Sequence, residues 1–568
     1  FGGTPSDRSV VNAIRELKRR GQKVMLYPFL LMDIPAGNGL PDPYGRDEQP
    51  PFPWRGRITL DAAPGQPGST DRTAAAADEV AAFFGTARAA DFAVSDGSVA
   101  YSGPDELTWR RFALHIAALG AAAGGVDAIC IGTELRELTT IRSDRTTYSA
   151  VGQLIDLAAE VRALLPDAHI SYAADWSEYF GHQPGDGSGD RIFHLDPLWA
   201  DPNIDFVGID DYLPLSDWRH EPGHLDRQEA LAVHSLPYLS ANMEGGEHYG
   251  WYYTSDADRE AQIRTPIEDT AHGEHWVYRP KDIRGWWENA HHDRIGGVRQ
   301  PSHTAWVPRS KPVWLTETGC PAVDLGANMP NLFFDPKSSE SALPPGSAGA
   351  RDDEMQRRYL QAKLGHWADP ANNPDGLYGA PMIPPERIYV WTWDARPFPD
   401  FPARESVWSD GPSHQLGHWI TGRVSNGSMA DVVHEICVTS GAPEVDVSRL
   451  FDAVSGYLIE DTETGRAALQ PLMLAYGVDA HEGGGRIVFT MRGQAEPQAL
   501  DPAALAEGED PLGHVVRERA SEGAEADVVR LSYLEAEADY RLGAAEARAP
   551  EADEARSEER RVGKECPS

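Results

Sequence analysis

Cysteine is scarce in this chain: four residues in 568, at Cys130, Cys320, Cys437 and Cys566. Their wide separation offers no CxxC or Cys/His metal spacing. A chain this long needs no disulfide staples, so they read as thiols of a protein that folds in a reducing cytosol. Basic residues are also few, 51 Lys and Arg against 88 Asp and Glu, for a formal charge of −37. A field of that sign repels phosphate backbones and anionic lipid surfaces, so nucleic acid is not expected as a partner. There is no run of about 18 apolar residues, so no membrane-spanning helix is expected. A Gly-rich phosphate loop, a G-x-S-x-G elbow and an HExxH pair are missing as well. Neither a metal nor an organic cofactor is expected.

What the chain does have is apolar residues, 41% of the total, and 16 tryptophans. Its length points to two to four domains. Ser6 or Asp7 can cap a helix through Val10, Val11, Ile14, Leu17 and Arg20, closed by Gly21. An almost unbroken apolar run follows at Lys23–Asp33. A short apolar run after a helix marks a strand buried on both faces, as in a parallel sheet. The unit recurs: a helix at Trp109–Ala123 leads to Val126–Gly132, and one at Val151–Leu165 leads to His169–Ala174. Further strands are expected at Ile204–Ile209, Pro312–Thr316 and Ile388–Thr392. Six strands separated by helices or long loops fit an α/β fold, a (β/α)8 TIM barrel. The chain starts inside a helix–strand unit. Strands one and two are therefore expected to lie upstream of this fragment, making the visible strands three to eight.

Two insertions follow carboxyl ends of strands, where barrel enzymes build their sites. One is Pro35–Leu107, with a helix expected at Arg72–Arg88; the other is Leu213–Ser310, rich in aromatics. The domain expected at 1–418 ends where the pattern changes. Residues 419–492 read as a small α/β module, with helices at Met429–Ser440, Val447–Val454 and Ala467–Tyr476 and a strand at Arg486–Met491. Residues 493–568 are acidic, and within them Ala526–Leu542 alone has the apolar spacing of folded structure. The last eight residues, Arg561–Ser568, are unlike what precedes them.

The strongest chemical signal is a pair of carboxylates at the ends of two buried strands, Glu134 after Val126–Thr133 and Glu317 after Pro312–Thr316. A carboxylate at a core edge costs free energy unless it is paired or solvated. Glycoside hydrolysis needs two facing carboxyls, an acid/base and, in retaining enzymes, a nucleophile. The bland alternative is that each Glu pairs a neighbour such as Arg136. Asp175 and Trp176, Asp210, Asp211 and Tyr212, and Trp391, Trp393 and Asp394 end other strands. Acidic and aromatic groups on one rim suit a polyhydroxyl ligand, and the i, i+2 spacing of Trp391 and Trp393 directs both to the barrel interior. The stretch Asp186-Gly187-Ser188-Gly189-Asp190 lacks the closing Glu of a calcium loop and reads as a turn. His291-His292 reads as polar loop.

Gly2–Asp7, Tyr27–Tyr44, Ile170–Asp190, Ile204–Trp218, Lys311–Asp324 and Ile388–Trp408 resemble the TIM-barrel-like domain of the large tail protein of gene transfer agents, which are phage-like particles; related host-specificity proteins occur in tailed phages. The resemblance covers roughly residues 1–418. Residues 419–492 resemble the following tail-tip, or hub, module, and Val528–Arg548 its continuation. The resemblance implies a baseplate or tail-tip component, made in the bacterial cytoplasm and assembled into a virion-like particle with other tail proteins. It also implies a glycoside-hydrolase-like barrel directed at cell-envelope glycan, with Glu134 as acid/base and Glu317 as nucleophile. Thr133 stands where many such enzymes have Asn. A retired hydrolase that holds or recognises glycan is the competing expectation.

Overall fold

A computed structural model describes residues 5–221, 223–230, 232–420, 426–442, 444–459, 462–493, 499, 501, 528–535, 541–548 and 557–561. The chain divides into two compact units, Phe1–Arg423 and Val424–Ser568.

The first unit is built on six parallel strands: β1 (Met25–Leu26), β2 (Ala128–Thr133), β3 (His169–Asp175), β4 (Val207–Asp211), β5 (Val313–Thr318) and β6 (Ile388–Val390). Neighbours in sequence are neighbours in the sheet. This is the wall of a TIM-barrel-like domain, mixed α/β as expected. Its inner face packs Met25, Tyr27, Ala128, Cys130, Ala173, Phe206, Trp314 and Tyr389 as one cluster. Phe206 and Trp314 stack at 3.8 Å there. Residues of β1 and β6 share that cluster, so the wall curves round it. Gly208 in β4 is required by this curvature, because a Cβ there would collide with the carbonyl of Tyr172.

The outer face carries Ile129, Ile131, Ile170, Val207, Ile209, Val313 and Leu315, all fully buried in the main core. Helices α1 (Asp7–Arg19), α2 (Ala74–Phe84), α3 (Trp109–Ala122), α4 (Ser149–Leu164) and α5 (Asp353–Ala368) belong to this unit. Ser6 caps α1, its side chain accepting from the Ser9 amide at 3.3 Å. Truncating Leu154 of α4, fully buried, would cost about 2–5 kcal/mol.

Several expectations are corrected. The strand expected over Lys23–Asp33 is ordered as a strand over Met25–Leu26 alone, because β1 pairs with β2 on one side and continues as extended loop. Tryptophans 276, 286 and 287 of the aromatic-rich second insertion are buried in the core. Trp276, Trp286 and Trp306 surround His291, which is fully buried instead of reading as polar loop. Its ring bonds Asp196 Oδ2 at 2.8 Å and the Trp286 carbonyl at 2.7 Å and stacks on Phe193 at 4.4 Å.

In the second unit, α6 (Met429–Thr439) and α7 (Gly465–Tyr476) share an apolar cluster with residues of β7 (Val445–Arg449), β8 (Val478–Gly483) and β9 (Arg486–Met491). The sheet order is β7-β9-β8, with β7 parallel and β8 antiparallel to β9. The segment expected as a helix at 447–454 is therefore mostly strand. Val445 and Val447 alternate as strand residues do, and Val445, Asp446 and Arg449 pair onto β9. A second sheet joins β10 (Val528–Glu535) to β11 (Arg541–Arg548) and β12 (Ser557–Arg561). Strand structure thus extends beyond the Ala526–Leu542 stretch, to Arg548 and to Ser557–Arg561. Gly2–Thr4, Cys566 and the last eight residues other than Arg561 lie outside the described residues. The three described cysteines are free and buried. No helix among the described residues is long and apolar enough to cross a membrane.

Candidate carboxylate site at the barrel mouth

Two backbone irregularities create the site. At the end of β2, Glu134 adopts a left-handed conformation (φ 45°), which costs a residue with a Cβ on the order of 1 kcal/mol. Its amide donates to the Ala173 carbonyl at 2.8 Å, and the Tyr172 hydroxyl accepts from the next amide, Leu135, at 2.7 Å. In β5 the pairing with β4 shifts between Leu315 and Glu317. Trp314 faces inward and Leu315 outward, so strict alternation would send Glu317 to the helices. The bulge instead re-aims it beside Thr316 into the barrel mouth.

One carboxylate oxygen each from Glu134, Asp210 and Glu317 lies within 4.8 Å of the other two. All three residues are buried, at 6%, 0% and 5% exposure. Hydroxyls serve two of them. Tyr212 donates to Glu317 Oε2 at 2.6 Å; Tyr27 and Thr316 donate to the two oxygens of Asp210, each at 2.7 Å. The third is served from the first insertion, where the Trp54 indole donates to Glu134 Oε2 at 2.6 Å.

Among the described residues, one cation, Arg55, pairs with these acids. Arg55 Nη2 is 3.0 Å from Glu134 Oε2 and 3.8 Å from Glu317 Oε1. Both contacts are ionic without hydrogen-bond alignment. Its Nε donates to the carbonyl and Oγ1 of Thr133 at 3.1 and 3.0 Å, and its guanidinium lies 3.7 Å over the Phe29 ring. The three oxygens are close enough to share one cation, and Arg55 supplies that charge itself.

One positive charge cannot balance three buried carboxylates, so protons must be held. Burial, then the charge of Glu134, pushes Glu317 up to about 7, against a smaller lowering by Arg55. Burial, then Glu317 and Glu134, raises Asp210 well above the carboxylate range. Burial opposes the charge on Arg55, yet Glu134 and Glu317 outweigh it and raise its pKa. The group can store and pass a proton between facing carboxyls. Such coupled acids titrate as a set, not residue by residue.

The expected site residues fare differently. Glu134, Glu317, Asp210 and Tyr212 come together. Glu134 pairs with Arg55, not with the neighbouring Arg136, which faces Glu137 at 3.6 Å. Asp175 is buried at the same mouth; burial and then Glu134 push it up to about 6, and its Oδ1 accepts the Ser177 amide. Trp176 turns away from the carboxylates to pack on His248 at 5.0 Å. Asp211 points outward to Lys363. Trp391 stacks on Phe29 at 5.9 Å, behind Arg55. Trp393 is 73% exposed, and Asp394 pairs Arg396. The expectation that both tryptophans face the interior is corrected: β6 ends at Val390, before either of them, so strand alternation does not reach them.

Tyr27, Trp54, Arg55 and Thr316 were not anticipated. Tyr27 and Thr316 had a signal, being two residues from inward-facing Met25 and Trp314. Trp54 and Arg55 had none, since their contacts close loops of about 80 residues.

Comparison with known proteins places the chain. The family model of the GTA TIM-barrel-like domain matches residues 107–402, just over half of the chain. A putative phage tail protein family matches residues 464–563. A chain from the virion of a native gene transfer agent (GTA) particle is 44% identical over 27% of this chain, with a TM-score of 0.24. The match spans 35% of that chain's length. No curated protein matches.

Proposed function

Since the chain belongs to the family of the GTA TIM-barrel-like domain, we propose that it is a tail-tip component of a phage-like particle whose barrel hydrolyses cell-envelope glycan with retention. In this reading it is made in the bacterial cytoplasm and assembles with other tail or baseplate proteins, and residues 419–568 serve that assembly. The observation that carries the chemistry is the approach of the Glu134 and Glu317 oxygens to within 4.8 Å at the mouth of a parallel barrel. Retaining pairs stand about 5–5.5 Å apart, inverting pairs about 6.5–9.5 Å to admit a water.

Glu134 protonates the glycosidic oxygen as its bond to the anomeric carbon breaks, and the Glu317 carboxylate bonds that carbon. Glu134 then takes a proton from water, whose oxygen displaces Glu317 and frees the sugar. At rest Glu317, raised to about 7, holds a share of the proton at neutral pH, and Trp54 and Arg55 contact Glu134. A substrate entering the mouth has to displace Trp54 from Glu134. A guanidinium that moves from Glu134 toward Glu317 favours ionised Glu317 and frees Glu134 to hold the proton.

A specific observation favours a second reading, a barrel retired to binding: Trp54 and Arg55 leave the carboxylates at most 6% exposed. Single-turnover hydrolysis of cell-wall and capsule glycans by wild type and Glu317→Gln separates the two. Product from wild type alone, with a loss of at least about 10³-fold in Glu317→Gln, supports the hydrolase. Bound glycan without product from either supports retirement.

A further inference from the structure

A cavity of about 770 Å³ opens on the same rim, lined from Arg136, two residues past Glu134, and from Trp176, the residue after Asp175. None of the three clustered carboxylates lines it. Its size falls within the roughly 300–1,000 Å³ of small-ligand sites. Trp176, packed on His248, forms one aromatic wall, and Tyr252 (40% exposed) and Tyr253 from the second insertion form another. Flat apolar faces with polar groups between them suit sugar rings.

The charge of the lining decides the class of sugar. Three arginines, 136, 191 and 259, stand against three glutamates, 137, 247 and 268. The fourth glutamate, Glu178, is pushed up to about 8 by burial and holds its proton at neutral pH. Burial also holds His182 and His248 neutral, at about 3 and about 4. The arginines are committed. Arg259 forks onto Glu247 at 2.9 and 2.6 Å, and Arg191 spends its donors on the carbonyls of Val277, Gly181 and Phe180. Arg136 faces Glu137. The lining thus carries no net charge with which to hold a phosphate or a uronate.

We propose that this cavity is a subsite for an uncharged, polyhydroxyl oligosaccharide, stacked on Trp176 and Tyr252 next to the carboxylate centre. The choice of a sugar rests on the glycan reading above; the cavity and its neutrality do not.

The test is calorimetric binding to the full chain carrying Glu317→Gln, so that hydrolysis cannot consume the probe. The probes are tetra-N-acetylglucosamine and a neutral hexose tetrasaccharide, with tetragalacturonate as the acidic counterpart. A neutral probe is expected to bind, with at least tenfold weaker binding in Trp176→Ala and in Tyr252→Ala. Tetragalacturonate is expected to bind at least tenfold more weakly than the neutral probe. Tyr252 is exposed, so its variant keeps the fold even where Trp176→Ala does not. Equal binding by the Tyr252 variant and its parent overturns the proposal, as does preference for the acidic probe or failure of every neutral probe to bind. Binding that depends on Tyr252 without hydrolysis by wild type sinks the hydrolase and leaves the subsite. Hydrolysis with a KM untouched by Tyr252→Ala does the reverse.

Discussion

Asp210 and Asp211 are neighbours in β4, both fully buried, and their surroundings are opposite. Asp211 faces the outer layer, where Lys363 of α5 reaches both its oxygens at 2.6 Å. Asp210 faces the barrel mouth, where it meets two hydroxyls and two more acids and shares one arginine with them. A single step along a strand separates a closed ion pair from an unbalanced acid cluster. The outer arrangement holds an element in place, whereas the inner one stores protons. Burial alone therefore does not mark a functional carboxylate; the ratio of charges around it does.

The largest effect should come from breaking the outer pair. Lys363→Ala leaves Asp211 buried without its cation, and urea unfolding should register a loss of about 3–5 kcal/mol. Lys363→Met with Asp211→Asn should recover most of it. A loss below about 1 kcal/mol in the single variant would mean that the pair does not support the wall.

The inner cluster should respond to pH instead. Glu317 holds its proton up to about 7 in the folded chain, against an ordinary 4.5 in the unfolded one. Between those values Glu317 is protonated in the folded state and not in the unfolded one, so its own contribution to stability falls as pH rises. The fall is roughly 3 kcal/mol, complete just above pH 7. Asp175, raised to about 6, slopes the same way from a lower pH. His182, His248, His366 and His418, lowered by burial to about 3 or about 4, slope the opposite way below pH 6.5, and Glu178, raised to about 8, slopes the same way as Glu317. The decline should therefore show in the difference between the unfolding free energies of wild type and Glu317→Gln from pH 4 to 8, where those other groups cancel. An unchanged slope in that variant would place the proton elsewhere in the cluster.

Arg55→Met removes the cation that pairs with the cluster. Because Arg55 holds Glu317 down, the midpoint of that decline should move up, by about one pH unit. A midpoint that moves down would break the assignment of Arg55 as the balancing charge. At the small end, Trp393→Ala should change stability by less than about 0.5 kcal/mol, given its exposure. A drop of several kcal/mol would mean that Trp393 is covered in the folded particle component.

The six strands of the wall were legible because each is a short apolar run between helices, a pattern that parallel burial on both faces imposes. Glu134 and Glu317 were legible as acids at the ends of such runs. Trp391 and Trp393 were misplaced because period-two reasoning was carried past Val390, where β6 stops. The segment 447–454 was misread since short amphipathic runs satisfy helix and strand periods alike.

From the sequence alone came the parallel α/β wall, the positions of the two glutamates and the change of pattern near residue 419, since local apolar periodicity encodes them. Tertiary structure alone decided that a bulge turns Glu317 inward, that Arg55 and Trp54 close over Glu134, and that Asp211 pairs outward while Asp210 does not. Those contacts join residues up to 152 positions apart. No local pattern carries that information, because it depends on which faces the wall presents once it has curved.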